Sequence, residues 1–235
     1  MLASMKVFPI CLFAPNGNEP YLDRRTISGG TALSGDETLI GTDGGGRVVT
    51  EFSDFYLDDP EVARAWDAID AYMDGGLRAM IVPLCDGRHQ PSFFYDGVPH
   101  SDGTPFADET LYQTPGTDVS LAVDAPLRAT VIQIDIRSLN GDPLGWFSID
   151  HPTWRHRAYK VAEILSQTDT TATISIRPPL REAAAAGTPL DFAAPRCTMR
   201  LDGEMRAPRN MGFAEGQALR FVEDMTGSYD MAEAA

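Results

Sequence analysis

Residues 145–201 read GWFSIDHPTWRHRAYKVAEILSQTDTTATISIRPPLREAAAAGTPLDFAAPRCTMRL, and the alternation of apolar and polar residues here predicts β-strands. Apolar residues recur at every second position in two sets: Ala172, Ile174 and Ile176, and then Cys197, Met199 and Leu201. Alternate side chains of a strand point to the same face, so each set predicts a strand with one buried face. In the second of these strands, Thr198 and Arg200 are expected to face outward.

The same alternation, bounded by turn residues, extends the prediction to most of the chain. Strands are predicted at 5–14, 47–50, 77–82, 130–137, 145–150, 157–165, 171–177, 196–201 and 217–223. A helical turn is predicted at 180–186. The glycine run at 41–46 is interpreted as a hairpin tip, because it leads into a strand and not into a phosphate-binding helix. The predicted fold class is therefore mainly β, of the β-sandwich or split-barrel kind, with long ordered loops.

One packed α-helix is predicted at about 60–74. Asp59 can cap the helix, and Pro60 suits its first position because no N–H there needs a partner. Apolar residues at helical spacing form one face, namely Val62, Ala65, Trp66, Ile69, Tyr72 and Met73. Gly75 and Gly76 end the helix, and we expect its apolar face to pack on the sheet.

Residues 86–116 combine prolines and glycines with aromatic side chains, which a solvated linker does not need. We therefore predict an ordered arm that packs on another surface, with Phe93, Phe94 and Tyr95 as candidate interface residues. The arm also suggests two lobes: an N-terminal β lobe with the helix and the arm at 1–125, and a C-terminal β lobe at 126–235. One composite domain is the alternative.

Composition excludes some classes of function. The 235 residues carry a formal net charge of −15, so nucleic-acid phosphates would repel the chain and specific nucleic-acid binding is not expected. No apolar run approaches the roughly 20 residues that cross a bilayer, and no contact with a membrane is expected. The three cysteines, Cys11, Cys85 and Cys197, are far apart and odd in number, which predicts buried thiols in a reducing cytoplasm.

Two groups of residues have side chains that could form a chemical site. Ser148, Asp150 and His151 have the residue types of a hydrolase triad, but they fall within four positions, whereas a triad needs groups from separate elements. His151 and His156 fit a shared metal only loosely, and no cysteine or carboxylate pattern completes a metal site. The sequence therefore predicts no catalytic, cofactor or metal residues, and it predicts exposed histidines in a hairpin.

The most basic segment of this acidic chain contains Trp154, Arg155, Arg157 and Lys160, which are candidate interface residues. In one interpretation they contact an acidic face of a neighbouring subunit, since Arg and Trp are common interface anchors. In the other they belong to a solvated hairpin whose arginines pair with local carboxylates, each pair contributing at most about 1 kcal/mol.

Two blocks of sequence carry a family resemblance. The first is AWDAIDAYMDGGLRAMIVP at 65–83, and the second is GWFSIDHPTWRHRAYKV at 145–161 followed by SIRPPLREAAAAGTPLDFAAPRCTMRL at 175–201. Together they resemble minor tail proteins of long-tailed bacteriophages and alphaproteobacterial prophages, of the kind that serve as distal tail proteins. In those proteins a Pro-Pro-Leu-Arg turn and a Pro-x-Cys-x-Met-Arg-Leu strand lie near the C-terminal end of a β core. Here they stand at 178–181 and 195–201.

The resemblance implies a structural virion protein that is not an enzyme and has no cofactor. Its implied form is a homo-oligomeric, hexameric ring at the tail tip, assembled in the cytoplasm of the host bacterium. Its implied partners are the tail tube protein, the baseplate hub and the receptor-binding or fibre proteins.

Two alternatives from other classes stay open. A carbohydrate-binding β module predicts that Trp146 and Trp154 face solvent. A hydrolase that acts on cell-envelope polymers needs His151 or His89 beside a carboxylate in a pocket.

Overall fold

The computed structural model describes residues 5–41, 44–55, 57, 59–84, 102–104, 117–139, 141–205 and 218–226. This part of the chain forms two five-stranded sheets and a separate two-stranded hairpin, and every strand pair is antiparallel. The prediction of a mainly β fold of the sandwich kind is confirmed. No helix among these residues is long and apolar enough to cross a membrane.

The first sheet takes its strands from both ends of the chain. Its order is β1 (Gly17–Asp23), β4 (Arg47–Ser53), β12 (Leu219–Glu223), β11 (Arg196–Leu201) and β5 (Ala79–Pro83). Residue Val7 pairs in parallel with Ile81 on the outer side of β5 and extends this edge. Between β1 and β4 the chain leaves the sheet to form the hairpin of β2 (Thr26–Thr31) and β3 (Glu37–Gly41).

The second sheet comes from one continuous part of the chain. Its order is β6 (Thr117–Leu121), β7 (Val131–Leu139), β10 (Thr171–Arg177), β9 (Arg155–Gln167) and β8 (Trp146–His151). Residues 180–192, the closing segment, pair with both edges of the sheet: Pro189 bridges Ser120 of β6, and Asp191 bridges Ser148 of β8. The sheet therefore curls around its own apolar core.

The division between the sheets does not fall at residue 125, where the sequence suggests two lobes. Strands β11 and β12 lie beyond that position and join β1, β4 and β5, whereas β6 lies before it and joins the second sheet. The two apolar clusters follow the sheets, and the second sheet also supplies Trp146 and Ala158 to the cluster of the first.

The predicted helix is α2 (Pro60–Met73); its N-terminus forms as expected, and at its C-terminus Asp74 takes the left-handed conformation ahead of Gly75 and Gly76. The Asp59 carboxylate accepts a hydrogen bond of 2.8 Å from the Glu61 N–H. Trp66 and Met73 are buried on its apolar face. The Trp66 ring lies edge-on to Phe13 and Phe55 at centroid distances of 5.3 and 5.0 Å, so α2 closes an aromatic core over the first sheet.

Four local predictions are wrong. The strand predicted at 5–14 is reduced to the pairing near Val7, because Pro9 begins the one-turn helix α1 (Ile10–Phe13), in which Leu12 donates to the Pro9 carbonyl. The helical turn predicted at 180–186 does not form. Ala184 instead pairs with Ala125 as in a β-sheet, through two backbone hydrogen bonds. Thus pairing that closes the sheet outweighs the helix propensity of alanine.

The other two errors concern the glycine run and β11. The prediction of a hairpin tip at the glycine run is wrong, since the strands before and after it do not pair: β3 pairs with β2, while β4 pairs with β1 and β12. Thr198 does not face solvent, because the inner strand β11 is covered on both faces and Thr198 is fully buried. The pattern of buried Ala172, Ile174 and Ile176 is confirmed.

Candidate functional site

The basic segment that the sequence selects lies at the turn between β8 and β9. The Glu182 carboxylate of the closing segment accepts hydrogen bonds of 3.1 Å from the backbone N–H groups of Thr153 and Trp154. Arg155 follows in the left-handed region and is exposed. Lys160 is also exposed, and Trp154 is half-buried. These three residues can therefore contribute to a surface.

Arg157 cannot contribute to a surface, so its prediction as an interface residue is wrong. Its side chain is fully buried, with the guanidinium 5.1 Å from the ring centre of Trp154. Its Nη1 donates to the Asp224 carbonyl at 2.6 Å and lies 3.5 Å from the Glu223 carboxylate. A buried charge is retained only with charged and hydrogen-bonding partners, and Arg157 finds them in the other sheet.

Arg157 belongs to a buried charge cluster between the two sheets, which we call the junction. Its centre is Glu223 of β12, whose side chain is fully buried. Arg181 of the closing segment binds both Glu223 oxygens, at 3.1 Å through Nε and 2.9 Å through Nη2. The Val48 N–H of β4 donates to the same carboxylate at 3.1 Å. One carboxylate thus joins three elements that are distant in sequence.

The glycine run packs against the junction. The Gly46 carbonyl accepts a hydrogen bond of 2.6 Å from Arg181 Nη2. Gly45 has a φ of +103°, and a Cβ at this position would overlap the ring of Pro179. Only glycine combines this backbone conformation with so close an approach. The run therefore allows β4 to meet the Pro-Pro-Leu-Arg turn.

Asp224 extends the junction toward the surface. Burial raises its pKa, but hydrogen bonds from the Thr226 N–H and hydroxyl, at 3.0 and 2.8 Å, lower it, and the net pKa is below the usual value. Arg200 of β11 contributes in the same direction, with its Nε 2.8 Å from the Asp224 carboxylate. Asp224 therefore stays ionised near neutral pH, beside two arginines.

His151 and Tyr159 form the part of the junction that faces the second core. The Tyr159 hydroxyl accepts a 3.0 Å hydrogen bond from the Arg181 N–H and lies 2.9 Å from His151 Nε2. Burial lowers the pKa of His151 to about 4, and Arg157 adds to this effect, while Glu182 and Asp150 oppose it. His151 is neutral at physiological pH, and its prediction as an exposed histidine is wrong.

The hydrolase triad does not assemble. Ser148 and His151 lie on opposite faces of β8, because they are an odd number of positions apart in one strand. His151 is 1% exposed and its Nε2 is occupied by Tyr159. The Asp150 carboxylate lies 3.9 Å from His156 instead. The second histidine of the hydrolase alternative, His89, lies outside the described residues.

No metal centre emerges from the described ranges, in which no three His, Cys, Asp or Glu side chains are placed to hold an ion. The cysteine prediction is mixed. Cys197 is buried, and burial raises the pKa of its thiol to about 12. Cys11 is exposed, which contradicts the predicted burial, and Cys85 lies outside the described residues.

The tryptophan platform of the carbohydrate-binding alternative is incomplete. Trp146 is 6% exposed and packs in the first core, with the Lys160 ammonium 5.6 Å from its ring centre. Only Trp154 retains partial exposure. The aromatic arm residues Phe93, Phe94 and Tyr95 lie outside the described residues, and their predicted interface stays a prediction.

Sequence reasoning missed the junction because its members are scattered. Glu223 and Asp224 form an acidic pair of a kind that usually caps a helix or lies on a solvated face, and Arg181 belongs to the Pro-Pro-Leu-Arg turn. The local signal is the alternation of β12. Leu219 and Phe221 are apolar and buried, and Glu223 occupies the next position on the same buried face.

Comparison with known proteins finds no family model that matches the chain and no similar curated protein.

Proposed function

We propose that this chain is a structural protein of a bacteriophage tail tip, which works as a homo-oligomeric ring. In this role it connects the tail tube protein with the baseplate hub and the receptor-binding or fibre proteins. It is assembled in the cytoplasm of the host bacterium. The proposal assigns the chain no catalytic step, so its function lies in its surfaces.

The observation that carries the proposal is the position of the two motifs on which the resemblance rests. The Pro-Pro-Leu-Arg turn supplies Arg181, which binds both oxygens of Glu223. The Pro-x-Cys-x-Met-Arg-Leu motif is β11, which lies between β12 and β5 in the first sheet. The first motif therefore links the closing segment to the first sheet, and the second forms an inner strand of that sheet, as expected for residues that define an architecture.

The burial of polar and titratable side chains within the fold supports the same proposal. Arg157, His151 and Cys197 are buried and bonded within the fold, and they are not directed into a shared site. Of the candidate interface cations in the same region, Arg155 and Lys160 are exposed and suit contact with an acidic neighbour.

The acidic character of the chain is compatible with a ring around a passage for DNA. A formal charge of −15 per subunit is multiplied in a ring, and carboxylates that line the passage would repel the phosphates of passing DNA. This effect needs enough carboxylates on the inner surface.

The proposal is tested by negative-stain electron microscopy of the purified protein at high concentration, with light scattering for the mass. We expect rings with a central hole and a mass that is a whole multiple of 25.6 kDa. A compact monomer at every concentration would overturn the ring. If that monomer also bound glycans or cleaved cell-envelope polymers, the two alternative classes would replace the proposal.

A further inference from the structure

The hairpin of β2 and β3 is the least covered part of the described fold. Every residue of both strands is exposed. Ile27 and Ile40 face each other across the strands at 53% and 47% exposure, and Leu39 and Leu33 reach 67% and 111%. An isolated two-stranded hairpin is only marginally stable in water, so a covering surface would stabilise this one.

A second exposed apolar surface lies at the opposite edge of the first sheet. The hairpin leaves the sheet from β1, which is one edge, and residues 6–8 lie outside β5, which is the other. There the Ile81 backbone exchanges hydrogen bonds of 2.9 Å with Lys6 and Phe8. Val7 is 45% exposed at this edge, and Leu77, two residues before β5, is 68% exposed.

The charges of the two surfaces are complementary. Between Thr26 and Gly41 the hairpin carries Asp36 and Glu37 and no lysine or arginine, while the exposed Arg24 and Arg25 lie at its base, directly before β2. The β5 edge carries two exposed cations on the ring of Tyr72: Lys6 Nζ lies 4.2 Å from the ring centre, and the Arg78 guanidinium carbon lies 5.4 Å from it. In a chain with a net charge of −15, these cations favour contact with an acidic segment.

We infer that the hairpin of one copy docks on the β5 edge of a second copy, with its apolar side chains against Val7 and Leu77 and its carboxylates near Lys6 and Arg78. The donor and the acceptor are different surfaces of the same chain, so the contact is head-to-tail. Head-to-tail contacts close into rings when the rotation between copies permits it. This inference rests on the proposed function, since it names the contact that joins the ring.

The experiment compares three double variants with the wild type by light scattering over a range of concentrations. L39S/I40S removes the apolar side chains of the hairpin, and V7S/L77S removes those of the β5 edge. V131S/L165S is the matched control, since both residues are exposed apolar side chains of the second sheet, at 47% and 50% exposure. Circular dichroism and the melting temperature show that each variant folds.

We expect the hairpin and edge variants each to weaken self-association by about tenfold or more, while the control associates like the wild type. A mixture of the hairpin variant and the edge variant should form heterodimers of twice 25.6 kDa and nothing larger, because one intact contact remains. Charge reversal adds a specific check: E37K should weaken association, and R78E in the partner copy should restore part of it.

The outcomes separate this inference from the proposed ring. Rings that are equally stable in the hairpin and edge variants would overturn the inference and leave the ring intact. Hairpin-dependent dimers or open filaments without closed rings would support the contact and overturn the ring. A wild-type protein that stays monomeric at all concentrations would overturn both.

Discussion

The junction and the β2–β3 hairpin invert the usual distribution of residues in a folded protein. In the junction, Arg157 and Glu223 are charged and fully buried. In the hairpin, apolar Leu33 and Leu39 are the most exposed side chains of their kind among the described residues, together with Leu77. The junction is satisfied by partners within the chain, whereas the hairpin has apolar surface that no described residue covers.

The two regions obtain their stability from different sources. Removal of one partner from a buried charge pair leaves an uncompensated charge and is costly, so the junction should respond strongly to substitution. An exposed side chain loses little when it is changed, so the hairpin should tolerate substitution in the isolated chain. Substitutions in the hairpin should act on association instead.

The largest effect is expected for Glu223→Gln. The substitution keeps the shape of the side chain but removes the carboxylate that pairs with both Arg157 and Arg181, so each of these arginines loses a buried counter-charge. We expect a loss of about 3–5 kcal/mol in the free energy of unfolding, measured by urea denaturation.

The control for this prediction is Glu51→Gln in β4. Glu51 also pairs with an arginine, Arg220, at 3.2 Å, but both side chains are substantially exposed. We expect a change of at most about 1 kcal/mol. Equal losses at the two positions would show that burial of the junction does not determine its contribution to stability.

The pH dependence of stability is expected to come partly from His151. Its folded pKa of about 4 is below the unfolded value of about 6.5, so between these values the unfolded chain binds the proton first. Stability due to this group is complete above about pH 6.5 and falls as the pH decreases toward 4, by on the order of 3 kcal/mol in total. Wild type and His151→Gln should therefore differ in the slope of unfolding free energy against pH.

This comparison separates His151 from the carboxylates, which titrate in both proteins. Within the described residues, His151 Nδ1 is buried without a hydrogen-bond partner, so no acceptor there would stabilise an added proton. Identical slopes between pH 4 and 6.5 in the two proteins would contradict the assignment.

The sequence predicts the elements of this fold better than their partners. Periodicity identifies β7, β10, β11 and α2, since the positions that must be apolar are neighbours in sequence. It does not reveal that β12 pairs with β4, because that register depends on contacts between residues about 170 positions apart. For the same reason the sequence does not show how the chain divides between the sheets. Strands from both ends of the chain form one sheet, so the division does not fall at residue 125.

The candidate site shows the same limit at the level of single residues. Arg155, Arg157 and Lys160 are equivalent in a basic segment, and only the packing of β9 on the first sheet, where Arg157 reaches the Asp224 carbonyl, makes Arg157 internal. Glycines at 44–46 indicate a turn in the sequence, but the sequence does not show that the turn packs on Pro179. Which charges are buried is thus decided by tertiary contacts and not by composition.

A smaller effect, of about 2 kcal/mol, is expected for Gly45→Ala. The added Cβ would overlap the Pro179 ring, and alanine would have to adopt a φ of +103°. Relief of the overlap would move β4 away from Arg181. Gly44→Ala is the matched control, since Gly44 has a φ of +62° and no atom within 4 Å of the added Cβ. Similar melting temperatures for the two variants would show that the approach to Pro179 is not needed by the junction.

The smallest effect on the isolated chain is expected for Ile40→Thr in the hairpin. Ile40 is 47% exposed and threonine keeps the β-branched shape, so the free energy of unfolding at low protein concentration should change by no more than about 0.5 kcal/mol. The same substitution at Ile174 of β10, which is fully buried, should cost several times more, because it places a hydroxyl in an apolar core. At high concentration the order should reverse: Ile40→Thr should weaken self-association, whereas Ile174→Thr should not, under conditions where it is folded. If Ile40→Thr instead destabilised the dilute chain as much as Ile174→Thr, the hairpin would be part of the folded core and its exposed apolar residues would not mark an interface.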